Sequence, residues 1–534
     1  MDKRRILVLG AGVMQIPALR WAAERGWYVY VADGNPQAVG IPMAHSFLHV
    51  DLTDVDGMIA AAAEVRDREG LDGVFTAGTD FSYTVARVAE ALGLPGLSPK
   101  VAYRASNKAE MRTVLRSHGV SSPNFVILKN GEAEKQALER LNFPLVVKPV
   151  DNMGSRGIRR VDTPEEYRRA FEDAGKHSRS GTVIVEEYVP GMEFSIDALV
   201  VNGEVTYTGI ADRHIFFPPY FVEMGHTIPT SADNTVLEEV RKVFEAAVRA
   251  LGIDNGAAKG DVKWDGEKAF IGEVAARLSG GYMSGWTYPY CSGVELTGAA
   301  LQQAVGRRPE GLTPIRHWVS AERAFISIPG IVEAVEGIEE AKAVPGIRDV
   351  FIRIGPGDGV DFPTNNVEKC GNCISAAPGR ERAVHAAEEA CRTIFVRLVP
   401  GNPKTMEFLH NLRTSRVRDA FELQDPDNRV AVEKMPSIVR DGKSEKAGKK
   451  RIAVMPLPNV EVESSRDWHG MTLPRAFRQV LELSRLELVE SADDADIILG
   501  SLFWKVFLRG GVQAAVWIVD TVRTGGTGSL KGCC

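Results

Sequence analysis

A multidomain α/β and α+β protein is the fold class that this 534-residue sequence predicts, and three observations carry the prediction. Residues 1–100 alternate short apolar strand runs with amphipathic helical runs, the pattern of a doubly wound sheet. Residues 143–157 read as a buried strand that reaches Lys148 and runs straight into a glycine-containing loop. Residues 259–274 read as a hairpin whose turn is signalled by Asp265-Gly266. The length suits three or four domains, and 44% hydrophobic residues are enough to bury several cores.

Taken in order, the first domain, 1–100, has strand signals at 6–9, 28–32 and 73–77, with helices at 16–25 and 84–92. Gly10 and Gly12 follow the first strand, and Asp33 ends the second, 21 positions after Gly12, as a dinucleotide fingerprint requires. The third glycine position is Gln15, which weakens an NAD-binding oxidoreductase against a plain Rossmann-like scaffold. The second domain, 101–190, opens on a helix that Ser106 can cap and that carries Lys108 in its first turn. A cation there opposes the helix dipole unless an anion is near. Strands at 145–148 and 182–187 flank a helix at 164–174. The third domain, 191–435, holds strands at 193–201 and 205–210, a helix at 236–251, the hairpin, and short strands with two helical runs over 320–400. Residues 436–450 are polar and rich in lysine, a linker, and 451–534 form a small C-terminal α/β segment.

A net charge of −6 and a pI near 6.0 supply no general attraction for nucleic acid or an anionic membrane. No run approaches the roughly 18 apolar residues of a membrane span, and Gly10-Ala11-Gly12 interrupts the basic-then-apolar start that a secretory leader would need. Six cysteines in so long a chain make no disulfide framework, which points to a reducing cytoplasm. Cys370-Gly-Asn-Cys373 has no second pair to complete a zinc site and reads as a turn beside a strand. The terminal Cys533-Cys534 lacks the polybasic neighbour of a prenylation anchor.

The chemistry concentrates in a few segments. Lys148 projects a compact cation from a rigid strand, and Gly154 and Gly157 let backbone N–H groups wrap an anion. Residues 184–193 read as a strand, a tight turn and a second strand, a connector able to read a base edge with backbone groups and a carboxylate; Glu193 can accept hydrogen bonds from ribose hydroxyls. Asp261 and Glu273 share a face of the hairpin only if one extra loop residue pairs 261 with 271, so a bulged turn is expected. Two such carboxylates suit magnesium better than zinc or copper. Arg277 is near enough to neutralise charge on a transferred phosphoryl group.

In this order the segments resemble the ATP-grasp superfamily over residues 1–400. The resemblance implies a Rossmann-like pre-ATP-grasp domain and a two-lobed ATP-grasp domain that clamps ATP, 101–190 as small lobe and 191–435 as large lobe with an extension. It assigns Lys108 and Lys148 to the phosphates, Gly154, Ser155 and Gly157 to a lid, and Glu186, Glu187 and Val189 to the adenine hinge. It assigns Glu193 to the ribose, Asp261 and Glu273 to Mg²⁺, which Mn²⁺ can replace, and Arg277 to the acyl-phosphate end. Arg213, in Asp212-Arg213-His214 and near Glu223-Met-Gly-His226, is the candidate for a substrate carboxylate. Ala275 stands where the family often carries a metal-binding asparagine, so one ion is expected to be held more tightly than the other. The chain is most similar to single-copy carboxylate–amine ligases, which implies small-molecule carboxylate and amine partners, a cytoplasmic location and room for a homodimer, with no nucleic-acid or membrane partner. Bicarbonate activation of the biotin carboxylase or carbamoyl-phosphate synthase kind and a non-catalytic nucleotide-binding regulator are the alternatives.

Overall fold

The computed structural model describes residues 3–129, 135–410, 417–440, 451–489 and 495–524; most of the expected linker and the terminal cysteine pair lie outside them. The chain divides into two units, 1–322 with 374–384, and 323–373 with 385–534.

The first unit opens on a parallel sheet ordered β3-β2-β1-β4, from β1 (Arg5–Leu9), β2 (Tyr28–Asp33), β3 (Ser46–His49) and β4 (Gly73–Phe75). Residues Ile6 to Leu9 are wholly buried on both faces, as a strand between helical layers must be. The covering helices are α1 (Ile16–Glu24), α2 (Val55–Glu69) and α3 (Ser82–Leu92). Two more helices, α4 (Pro99–Ser106) and α5 (Lys108–Ser117), lead into the small lobe. That lobe is an antiparallel sheet ordered β5-β8-β6-β7, from β5 (Phe125–Lys129), β6 (Leu145–Pro149), β7 (Arg159–Val161) and β8 (Thr182–Glu187). Helices α6 (Lys135–Leu138) and α7 (Pro164–His177) complete it, and Tyr167, Phe171 and Ala174 of α7 pack on Val147, Val161 and Val185.

The large lobe contains an antiparallel run ordered β13-β12-β9-β10-β11. Its strands are β9 (Met192–Val201), β10 (Glu204–Phe216), β11 (Val222–Ile228), β12 (Gly256–Trp264) and β13 (Ala269–Ala275). One face is apolar: Phe194, Ile196, Ala198, Val262, Ile271 and Val274 pack on Val240, Phe244, Ala247 and Leu251 of α8 (Asn234–Leu251). Gly260 leaves the space that the Phe244 ring fills, since a Cβ there would stand 2.5 Å from it. Helices α9 (Tyr288–Ser292) and α10 (Leu296–Ala304) follow a short π-helix, Met283–Thr287.

The second unit has a three-stranded sheet centred on Gly330–Glu336 and a four-stranded sheet holding Ile452–Val454 and Ile497–Leu499. One core runs through it from Phe325 to Val522, so the extension after residue 322 and the segment from 451, expected to be separate, share their hydrophobic interior. Helix Ser501–Arg523 supplies Phe503, Trp504, Phe507 and Trp517 to that core and bends at Gly511. By length and composition it could cross a membrane, a candidate the sequence reading did not find, yet 78% of its most apolar window is buried in the unit.

Candidate active site

Strand alternation decides which charges of the large lobe meet. Glu193, Ser195 and Asp197 share one face of β9, and Lys259, Asp261 and Lys263 share the same face of β12. The register sets Glu193 opposite Lys263, Ser195 opposite Asp261 and Asp197 opposite Lys259. Across β12 and β13, Asp261 lies directly opposite Glu273. Regular pairing from Trp264–Ala269 onward would put 261 opposite 272, and a register shift next to Asp261 brings Glu273 round instead. The extra residue expected in the turn is therefore in the strand, and the pairing expected with 271 belongs to Val262. The carbonyl of Gly272, inside the irregularity, accepts a 2.7 Å hydrogen bond from Arg112 Nη2.

Two carboxylates held opposite each other repel unless a cation lies between. Lys259 Nζ is 2.5 Å from Asp261 Oδ2 and 3.6 Å from Glu273 Oε2. Lys108 Nζ is 3.2 Å from Glu273 Oε1, and Arg213 Nη1 is 3.1 Å from Asp261 Oδ2. Burial pushes the Glu273 carboxyl up, but Lys108, Lys259 and Arg277 outweigh it and hold the group well below the usual carboxylate range. One point charge already touches both carboxylates, so the donor set fits a hard divalent cation. No cluster of three or more His, Cys, Asp or Glu side chains suited to a metal exists among the described residues, so two carboxylates are what the protein offers.

Asn107, rather than Ser106, caps α5: its side chain accepts from the N–H groups of Ala109 and Glu110, while Ser106 closes α4. Lys108 at the first helical position donates its backbone N–H to Val150 and its ammonium to the Asn152 carbonyl, 2.8 Å away. The anion that offsets the dipole is Glu273. The lid segment after β6 has Gly154, Ser155 and Gly157 all at positive φ, so three left-handed residues within four turn the backbone tightly. Asp151 anchors its start by accepting from Ser178 Oγ and the N–H groups of Arg179 and Ser180.

The hinge carries its own ion pairs. Glu186 is 2% exposed, with Oε1 at 2.7 Å from Arg112 Nε and Oε2 at 2.5 Å from Lys148 Nζ. Burial pushes its carboxyl up, but the two cations outweigh that and hold it at about 2. Lys148 moves the other way from a simple partner: burial, helped by nearby Arg112 and Lys108, overcomes the single carboxylate and lowers the ammonium pKa. Both oxygens of Glu186 thus anchor cations, one from α5 and one from β6. The half-buried Glu187 carboxylate accepts from the Asn124 and Asn142 side chains and from the Asn142 backbone N–H. The Val189 carbonyl accepts 2.7 Å from Lys263 Nζ, which also lies 2.8 Å from Glu193 Oε1.

Arg213 is surrounded by Glu223 at 2.7 Å, Asp261 at 3.1 Å and Glu193 at 3.7 Å, so its guanidinium ties β10 to β11, β12 and β9. His226 is buried between Glu322 and Thr287, a packing role. Arg277 meets Asp80 Oδ1 at 2.8 Å, a carboxylate carried by the loop between β4 and α3. In the first domain the dinucleotide reading fails on geometry: the buried Gln15 side chain packs against Gly10 and binds the Ala77 carbonyl, filling the turn a pyrophosphate would need. Asp33 accepts from Ala11 N–H within the same turn. Cys370 and Cys373 are free and wholly buried, with Cys373 inside a strand, and burial pushes the Cys370 thiol up to about 12.

Arg112, Lys259, Lys263, Asp197, Asp80 and Asn107 escaped sequence reasoning. Three of them had a visible signal in the alternations Glu193-x-Ser195-x-Asp197 and Lys259-x-Asp261-x-Lys263. Arg112 and Asp80 come from distant elements and had none.

A Rossmann-like domain followed by two lobes that gather lysines, a left-handed glycine loop and paired carboxylates defines an ATP-dependent ligase. The family profiles described as ATP-grasp N-terminal domain, ATP-grasp domain and L-amino acid ligase C-terminal domain 2 match residues 21–96, 141–285 and 324–399. The chain is 26% identical to the uncharacterized protein y4rH of Sinorhizobium fredii, over 71% of this chain and 77% of that one. It is 22% identical to the L-arginine-specific L-amino acid ligase of Bacillus subtilis, over 59% and 78%. Its fold matches the crystal structure of L-amino acid ligase from Bacillus licheniformis with a TM-score of 0.65, at 21% identity, covering 75% of this chain and all of that one. The chain belongs to the ATP-grasp superfamily.

Proposed function

We propose that this ligase joins a small carboxylate to a small amine through an acyl phosphate. A carboxylate oxygen attacks the γ-phosphorus of ATP, ADP leaves, and the amine then attacks the acyl carbon and expels phosphate. Lys108 and Lys148 hold phosphate oxygens, and the loop of Gly154, Ser155 and Gly157 covers them with backbone N–H groups. The hinge at Glu187 and Val189 meets the base through its backbone, and Glu193 faces the ribose. Asp261 and Glu273 hold Mg²⁺ or Mn²⁺, which supplies charge neutralisation for phosphoryl transfer. Arg277, oriented by Asp80, offsets charge at the reacting end. The observation that carries this reading is the strand irregularity that sets Asp261 opposite Glu273 beside Lys108. Amino acids are the substrate class we favour, because the second unit carries the L-amino acid ligase C-terminal match. Among the described residues, Cys291, Cys370 and Cys373 are buried thiols, in keeping with a reducing cytoplasm.

The test is to incubate the purified protein with ATP, magnesium and pooled amino acids, and to resolve the nucleotides. ADP and phosphate released in step with a new amide are expected. Substrate-dependent AMP and pyrophosphate would overturn the mechanism.

A further inference from the structure

Lys259 occupies the point between Asp261 and Glu273, 2.5 Å from one and 3.6 Å from the other, where a cation held by both carboxylates belongs. Its ammonium and a divalent ion cannot share that point, because two cations in contact repel strongly in a partly buried site. Directly across β9, in register with Lys259, stands Asp197. Asp197 is wholly buried, and its Oδ1 accepts from Ser279 N–H at 2.7 Å. Its Oδ2 is buried with no hydrogen-bond partner among the described residues. A buried acceptor without a donor is unfavourable, so the position favours an arriving cation. One lysine thus has two carboxylate positions on the same sheet face, one taken and one open.

We propose that Lys259 is a built-in counter-ion that the metal displaces and that Asp197 receives. With the ammonium between Asp261 and Glu273, the repulsion between the two carboxylates is offset and they are kept together. When a divalent cation takes that place, Lys259 rotates about its side-chain bonds toward Asp197 Oδ2 and satisfies it. The role is one of positioning, since Lys259 sets the strength of metal binding without touching the reacting atoms. This rests on the reading of Asp261 and Glu273 as the metal pair.

Mn²⁺ titration of the full chain without nucleotide, with free Mn²⁺ followed by electron paramagnetic resonance, tests it. Lys259→Met, which keeps the aliphatic stem and drops the charge, is expected to bind Mn²⁺ about tenfold or more tightly than the unaltered protein. Asp197→Asn removes the receiving charge and is expected to bind about threefold or more weakly, and it decides the matter should Lys259→Met fail to fold. Unchanged or weaker binding in Lys259→Met, or unchanged binding in Asp197→Asn, would overturn the proposal. Asp261→Asn separates the two levels: loss of Mn²⁺ there with no change in Lys259→Met sinks only the role of Lys259, whereas full retention in Asp261→Asn sinks the metal pair itself.

Discussion

Replacing Glu186 by glutamine removes the single negative charge between Arg112 and Lys148 while keeping the shape of the side chain. In the folded lobe the carboxyl is held at about 2 against an ordinary 4.5. That gap is worth about 3 kcal/mol, from ~1.4 kcal/mol per pH unit. An independent route gives a similar figure, because breaking a buried pair by deleting one partner costs about 3–5 kcal/mol. Because the folded value lies below the unfolded one, this stability is fully present above the ordinary value and is lost as pH falls from there toward the folded value. Glu186→Gln should therefore be about 3 kcal/mol less stable at neutral pH, and the difference should narrow as the pH is lowered through the acid range. Urea unfolding read by hydrogen exchange in β8 peptides isolates the small lobe from the second unit. A loss below about 1 kcal/mol at neutral pH, or one that does not change with pH, would show that Arg112 and Lys148 are not balanced by this carboxylate.

Asn107→Ala should cost about 1 kcal/mol through the lost α5 cap and also weaken ATP binding by loosening Lys108, while Asn107→Ser restores both; thermal melts and calorimetry together check this. Lys148→Ala should lower ATP affinity by at least about tenfold and destabilise the lobe less than Glu186→Gln does, because Arg112 stays on Glu186; an unchanged affinity by calorimetry removes Lys148 from the site. Gly260→Ala should cost about 1–3 kcal/mol because its Cβ would meet the Phe244 ring, and a neutral melt would mean that α8 can retreat from the sheet.

Much of the fold was legible because its signals are local. Three of the four strands of the first domain's parallel sheet, the lysine-to-glycine-loop segment and the two strands joined at 187–192 appear where their periodicity placed them, whereas Ser46–His49 and Val55–Glu69 were not foreseen. The metal pair was legible in kind only: sequence parity showed that one extra residue was needed, but nothing local says whether a turn or a strand absorbs it. The ion pairs behind the hinge were not legible, for a different reason. Glu186 is paired by Arg112, 74 positions earlier in the chain. Charges that balance across distant elements leave no trace in spacing, and Asp80 with Arg277, 197 positions apart, is the same case.

The position of the irregular pairing beside Asp261 also sorts the hairpin into a tolerant part and an intolerant one. Because the parity correction is made within the strand, the exposed tip at 265–268 is not what aims Glu273. Tip composition is free to drift with little consequence for the chemistry below it. One residue removed from 270–273 has the opposite effect: it turns a carboxylate into the greasy layer under α8 and lifts a core side chain into the charged one. The hairpin behaves as a gauge whose setting screw is the glycine at 272, and length variation in this superfamily member should be filtered accordingly, permitted at the tip and purged one turn of the pleat below.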